Sequence, residues 1–287
     1  MPFSGALLCK REIDYLPFFL STYWIQNKKT ISTDYFPNGN VVTTTENIYN
    51  PNYKHLYPIN TITKNSKGET LTTDYQYPSD LVSGYEQSAI MQEMVERNMI
   101  ANPIITKSKN GSTVLSEQRT LYKFFPGTNG TLILPEFVYQ KRGAMPTDVV
   151  SSDRKITYNS YDNYGNLTQY TIENNIPVSI IWGYGGQYPV AKIEGSTFTN
   201  AETKLSDYLT KIQNGTLTTA EQNTLRTLIP DAMITTYVYK PLVGVTSITA
   251  PNGQTETYNY DASGRLQSIV NEKGEVLKTF EYNYKQP

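Results

Sequence analysis

A seven-residue pattern, Tyr-Asp, two residues, Gly, one residue, Leu, occurs twice. It runs Tyr161-Asp162-Asn163-Tyr164-Gly165-Asn166-Leu167 and again Tyr260-Asp261-Ala262-Ser263-Gly264-Arg265-Leu266. No other feature narrows the possible folds as much. A strand ends on the tyrosine, and the aspartate opens a turn by bonding the backbone two residues on. The glycine supplies the positive φ of the turn, and the leucine begins the returning strand. Tyr161, Asp162, Gly165, Leu167, Tyr260, Asp261, Gly264 and Leu266 are therefore read as structural motif residues. In the tail, Gly253, Gly264 and Gly274 are 11 and 10 residues apart. A short fixed period marks a stacked array in which each unit buries a face against its neighbours.

The rest of the chain reads as weaker versions of this hairpin. Asn38-Gly39 turns a hairpin over Lys28 to Thr45, and Ser66-Lys67-Gly68 turns another over Ile59 to Tyr77. Lys109-Asn110-Gly111 joins a strand at Ile104 to Lys107 to one at Thr113 to Phe125. Leu132 to Tyr139 follows, then a loose connection from Gly143 to Ser152 and a strand from Lys155 into the first motif. After Asn174-Asn175 come strands at Val178 to Trp182 and Val190 to Ile193. Strands at Thr235 to Tyr239, Val245 to Thr249, Gln254 to Tyr260, Leu266 to Val270 and Val276 to Tyr284 close the chain.

Two helical insertions interrupt the pattern. The first is expected at about 83–101, with a Ser83/Glu86 capping box, a stripe of Ile90, Met91, Met94, Val95 and Met99, and a stop at Asn102-Pro103. The second is expected at 199–230, with capping boxes at Thr199/Glu202 and Thr218/Glu221 and a break at Asn214-Gly215. The fold class is mainly β: an antiparallel sheet of hairpin repeats carrying two helical insertions. The chain divides into an N-terminal segment of unknown structure, 1–30, and a repeat region, 31–287.

Composition agrees. The 287-residue chain holds 24 tyrosines, which can cover a sheet face with their rings and leave the hydroxyl in water. A net charge of -1 with mixed signs argues against nucleic acid as a partner. One cysteine, Cys9, and one histidine, His55, exclude an internal disulfide framework, a Cys-rich zinc site and a multi-His metal site. No metal or cofactor is expected. No apolar run reaches the roughly 18 residues of a membrane span. Met1 to Leu8 is too short for a signal peptide and lacks its basic start.

No catalytic constellation stands out. Repetition of Asp162 and Asp261 at matching positions favours turn capping over general acid/base work or calcium ligation. No Gly-x-Ser-x-Gly elbow is present, and Gly183 to Gly186 lacks the Gly-Lys-Ser/Thr ending of a phosphate loop. Trp182, together with Tyr237 and Tyr239, Tyr258 and Tyr260, and Tyr282 and Tyr284, are the candidate contacts for a ligand or partner. Each pair shares one face of a strand, which either packs inward or presents an aromatic surface.

The two motifs resemble the YD repeats of Rhs-type proteins, relatives of toxin-complex and teneurin shells. Ile181-Trp182-Gly183-Tyr184, Tyr188 to Glu194, and Thr235 to Val245 resemble the YD/RHS-repeat proteins of Bacteroidetes. The resemblance runs from about Asn47 to the C-terminus. It implies a long antiparallel ribbon that winds into a shell, and an extracellular or cell-surface location. It also implies that this chain is the C-terminal piece of such a ribbon or a shortened gene. No boundary motif or toxin domain follows the last repeat, so a toxin-carrying role is not expected, and a curved open sheet is expected in place of a closed cocoon. The leading reading is a non-enzymatic scaffold whose open edge pairs with the rest of a ribbon or with another copy. A surface module binding carbohydrate or protein is second, and a glycan hydrolase third.

Overall fold

The computed structural model describes residues 24–52, 54–143, 150–173 and 176–283. Cys9, Tyr284, the Asn174-Asn175 turn and most of the 143–152 connection lie outside the described residues, as does all but the end of the 1–30 segment. Sixteen strands are present among those described. They are β1 Lys29–Phe36, β2 Gly39–Tyr49, β3 Pro58–Lys64, β4 Thr70–Gln76, β5 Ile105–Asn110, β6 Thr113–Gly127, β7 Gly130–Arg142 and β8 Arg154–Tyr161. They continue with β9 Leu167–Ile172, β10 Ile176–Gly183, β11 Tyr188–Glu194, β12 Met233–Lys240, β13 Gly244–Thr249, β14 Thr255–Tyr260, β15 Leu266–Val270 and β16 Val276–Thr279. All sixteen lie in one sheet in the order of the sequence. Each pairs antiparallel with the next, and β1 and β16 form the two open ends.

Sequential pairing gives the ribbon two edges. The turns after β8, β10, β12 and β14 line one, here the front edge; the turns after β3, β13 and β15 line the other, the rear edge. Strand pairing alone does not bury much. The core sits in two places where helices cover the sheet.

The first is α1, Ser88–Glu96, inserted between β4 and β5. Met91 and Met94 are buried against Ile104, Ile105, Tyr122 and Ile133. The helix is shorter than the expected 83–101. Ser83 and Glu86 form no capping box, because Gly84 holds φ +72 and breaks the helical path there. Gln87 leads into the helix, and its side chain is taken by the sheet: its Nε2 donates to the Tyr122 carbonyl at 2.7 Å, and its Oε1 accepts from the Tyr122 N–H at 2.9 Å. The helix stops before Asn102-Pro103 because Asn98 turns left-handed, φ 58, a conformation asparagine tolerates better than most residues.

The second cover is three short helices between β11 and β12: α2 Phe198–Lys204, α3 Leu209–Asn214 and α4 Thr219–Leu228. Ala201, Leu205, Ile212, Leu225 and Ile229 pack on Ile181, Val190, Ala191, Ile193 and Ile234. The N-cap of α2 is Thr197, whose Oγ1 accepts from the Asn200 N–H, and not the expected Thr199. At α4 the expected box forms, Thr218 with Glu221. Gly215 ends α3 at φ 66. Gly183 lets α3 approach: a Cβ there would lie 2.2 Å from the Gln213 carbonyl oxygen, which accepts the Tyr184 N–H at 2.8 Å.

The last strand also differs from expectation, ending at Thr279 and not Tyr284. A bulge at Leu277 shifts its register against β15. Beyond it, Phe280 keeps one bond to the sheet, from its N–H to the Gln267 carbonyl. No helix among the described residues is long and apolar enough to cross a membrane.

Candidate functional site in the front edge and the open strands

The two motif turns are built alike. The Asp162 Oδ1 accepts the N–H groups of Tyr164 and Asn166, both at 2.9 Å. The Asp261 Oδ1 accepts those of Ser263 at 2.8 Å and Arg265 at 3.0 Å. The second carboxylate oxygen takes the side chain of the fifth residue: Asn166 Nδ2 at 2.9 Å on Asp162, and Arg265 Nε at 2.7 Å on Asp261. These backbone and side-chain bonds from Arg265 hold the Asp261 carboxyl below its usual range. Gly165 and Gly264 sit at φ +91 and +74.

Two further turns share this geometry. At the rear edge, Asn65 and Asn271 replace the aspartate, and their Oδ1 atoms accept from Lys67 and Glu69, and from Lys273 and Glu275. Their amide Nδ2 then donates to Glu69 at 2.7 Å and to Glu275 at 2.6 Å. The donor and acceptor roles swap between the two residues while the turn keeps its shape. The sequence signal for all four is Asx-x-x-Gly, of which only the versions beginning with tyrosine stand out by eye.

The motif tyrosines do something the sequence does not reveal. On β3, β7, β9, β13 and β15 a bulge falls near the front edge, with Ile59, Glu136, Thr168, Thr246 and Gln267 as the extra residues. In each case the carbonyl just before the extra residue accepts a hydrogen bond from an aromatic side chain at or just beyond the end of the following strand. Tyr77 donates to Pro58 at 3.1 Å, Tyr161 to Pro135 at 2.8 Å, Tyr260 to Val245 at 2.8 Å and Tyr282 to Leu266 at 2.9 Å. Trp182 uses its indole N–H in the same way, on Leu167 at 2.8 Å. A bulge kinks a strand and disrupts its ladder locally; the aromatic donor closes that gap and pins the pair of strands. We call this contact a staple. Burial, followed by the nearby Tyr158, pushes the Tyr161 hydroxyl pKa up, and burial followed by Tyr75 raises that of Tyr77 to about 12. Both hydroxyls remain neutral donors at any ordinary pH.

The other candidate contacts divide among different roles. Tyr239 stacks on Tyr188 with ring centroids 4.8 Å apart, and its backbone N–H donates to the Tyr184 hydroxyl at 2.9 Å. Tyr237 is half-buried and lies on the opposite side of the strand from Thr236. Tyr258 donates to Glu256 at 2.9 Å. Tyr282 is 44% exposed, with the Arg265 guanidinium 5.0 Å over its ring. Trp182 also lines a recess of about 140 Å³ with Asp162, Phe198, Glu202 and Gln213.

The groups best suited to chemistry are engaged in structure. His55 is buried beside the α1 insertion, where its Nδ1 accepts the Tyr57 N–H and its Nε2 therefore donates to Asp80, both at 3.2 Å. The buried carboxylate of Glu117 is paired on two sides, with Lys107 at 3.1 Å and Arg119 at 3.0 Å. Among the described residues no group of three or more His, Cys, Asp or Glu side chains is placed to hold a metal ion.

The two open strands differ from the interior. β1 is exposed along almost its whole length and β16 along all of it. Ile31, Tyr35, Phe36, Val276 and Leu277 all lie more than half exposed. Among the described residues nothing pairs with the outer side of either strand.

No curated relative matches the chain. Solved structures show similarity, among them the following three. A crystal structure of TcdB2-TccC3 without its hypervariable C-terminal region is 14% identical, with a TM-score of 0.34, over 84% of this chain and 12% of that one. A crystal structure of TcdB2-TccC3-TEV is 11% identical, with a TM-score of 0.39, over 88% and 12%. A Tc holotoxin pore from Photorhabdus luminescens is 14% identical, with a TM-score of 0.32, over 84% and 12%. The chain thus spans only 12% of the length of these proteins. The RHS repeat family model matches residues 243–276, the segment that runs from the start of β13 through the second motif and its staple to the start of β16. Residues 243–276 of this chain thus carry an RHS repeat.

Proposed function

We propose that the chain is a non-enzymatic structural segment of an RHS-type β scaffold. Its task is to hold a wide, thin sheet in shape and to carry the ladder onward at its open ends. The recurring staple supports this reading most directly: the same backbone contact, made five times by two kinds of aromatic side chain, specifies geometry and not chemistry. The RHS match over β13 to β15 and the structural engagement of His55, Glu117, Asp162 and Asp261 agree with it. Partners are other repeat segments, and a secreted or cell-surface setting follows from the family. No observation favours a glycan or an unrelated protein as ligand, or hydrolysis of a glycan.

A repeat scaffold tolerates one more repeat, because each unit contacts only its neighbours. The test is to insert a second copy of residues 250–270 between Val270 and Asn271. The chain should stay folded and monodisperse in dilute solution, with more strand signal in far-UV circular dichroism. An unfolded or molten product would overturn the scaffold reading.

A further inference from the structure

We infer that β1 of one copy adds antiparallel to β16 of a second copy, so that the sheet extends head to tail. This rests on the scaffold reading and adds the partner and the register. Four observations carry it.

First, strand direction alternates through the sheet. With sixteen strands, the next strand beside β16 must run as β1 runs to continue the pattern. A second copy related by displacement and rotation along the ribbon supplies that direction without inversion.

Second, β1 and β2 project. The pairing of β2 with β3 ends at Thr44 opposite Lys64, whereas β1 and β2 remain paired out to Phe36 opposite Gly39. Among the described residues, the hairpin from Ser32 to Thr43 has no third strand. A two-stranded hairpin alone is marginal in water, and this one exposes Tyr35 at 79% and Ile31 at 61%. Its stability calls for a neighbour on the outer side of β1.

Third, the receiving edge is prepared. Leu277 of β16 and Ile248 of β13 line a recess of about 490 Å³, together with Glu256 and Lys273. Strand addition draws affinity from main-chain bonds and specificity from such side-chain recesses.

Fourth, one register matches side chains as well as backbone. With Asp34 opposite Lys278, Tyr35 falls opposite Leu277 and Phe36 opposite Val276, while Thr33 meets Thr279. That register pairs opposite charges and apolar groups, the combinations that stabilise neighbouring strands. Lys29 is already paired with Glu46 of its own hairpin, at 3.0 Å.

A heterologous contact of this kind leaves β1 of one copy and β16 of the other free in a dimer, so association continues past two copies. The test is sedimentation velocity across a dilution series with the full chain. Wild type should grow past the dimer as concentration rises. Tyr35→Lys, which blocks β1, and Leu277→Lys, which blocks β16, should each remain monomeric, since edge lysines prevent strand addition. Both positions are exposed, so both variants should fold. Their equimolar mixture should form a dimer and stop there. Asp34→Lys and Lys278→Glu should each weaken association at least tenfold, and the double variant should recover most of that loss. Wild type that stays monomeric at every concentration would overturn the inference, as would either blocked variant dimerising by itself. Neither result touches the scaffold reading, which stands or falls with the repeat-insertion protein.

Discussion

Replacing Tyr161 by phenylalanine isolates the worth of one staple. The ring stays, with its edge-on contact to Phe125 at 4.8 Å, and only the O–H that donates to Pro135 at 2.8 Å is lost. A neutral hydrogen bond of this kind contributes about 1 kcal/mol net. The Pro135 carbonyl is left in a half-buried position beside a bulge, where water can still reach part of it. The unsatisfied acceptor therefore adds little, and the total loss should be about 1–1.5 kcal/mol. For a chain of this size that lowers the melting temperature by roughly 2–4 °C. The control is Tyr158→Phe on the same strand, whose ring lies 6.4 Å from that of Tyr161 but whose hydroxyl makes no staple. It should change stability by no more than about 0.5 kcal/mol. Equilibrium unfolding in urea reads both. Equal shifts in the two variants, or no shift for Tyr161→Phe, would refute the claim that the motif tyrosine acts through its hydroxyl.

Four further outcomes follow from the same geometry. The folded chain holds Tyr77 neutral up to about 12 against an ordinary 10.0. Its contribution to stability is therefore complete below pH 10 and is lost as pH rises towards 12; tyrosinate absorbance and circular dichroism should change together in that window, and Tyr77→Phe should remove this part of the response. Lys211, followed by the Thr218 N–H, holds Glu221 at about 2 against 4.5, so the α4 cap is intact above pH 4.5 and weakens as pH falls towards 2; amide protection factors in α4, taken against the intrinsic exchange rate at each pH, should fall there in wild type and stay constant in Glu221→Gln. Gly183→Ala drives a Cβ against the Gln213 carbonyl and should undock α3, quickening exchange at the Tyr184 amide while β1 to β6 remain unaffected. The turn at Ala250 has the motif backbone, with Gly253 at φ +86, but no capping side chain at its first position; Ala250→Asp should raise stability by about 0.5 kcal/mol in urea unfolding.

Much of the sheet was legible because hairpin turns are local. Asn38-Gly39, Gly68, Gly111 and the glycines of the tail each mark a turn through positive φ, and the strands between them alternate. The helices were legible only where their own residues decide the matter. Thr218/Glu221 caps α4 through groups three residues apart, whereas α1 begins where Gln87 meets Tyr122, a partner 35 positions away. The staples were hidden for the same reason. Their donors were visible as tyrosines, but the acceptors are backbone carbonyls 15 to 26 positions upstream, which carry no signature in side-chain type. Trp182 read as a packing or ligand-contact residue, since nothing local distinguishes an indole that replaces a tyrosine on a bulge. The recurrence of one turn at Asn65 and Asn271 was written in the sequence, but only the swapped hydrogen bonds to Glu69 and Glu275 show that asparagine serves there as aspartate does elsewhere.

The open sequential sheet is tested most directly by residue-resolved amide hydrogen exchange on the wild-type chain, dilute enough to be monomeric. In Ile156–Thr157 of β8 and Gln169–Ile172 of β9, successive amides should all be protected, since both sides of these segments are paired. In β1 and β16, protection should alternate, with every second amide exchanging at close to the free rate because it faces no neighbour. Continuous protection along β1 and β16, equal to that of β8, would mean that the two ends are joined or covered, and would contradict an open ribbon that passes its ladder to the next segment.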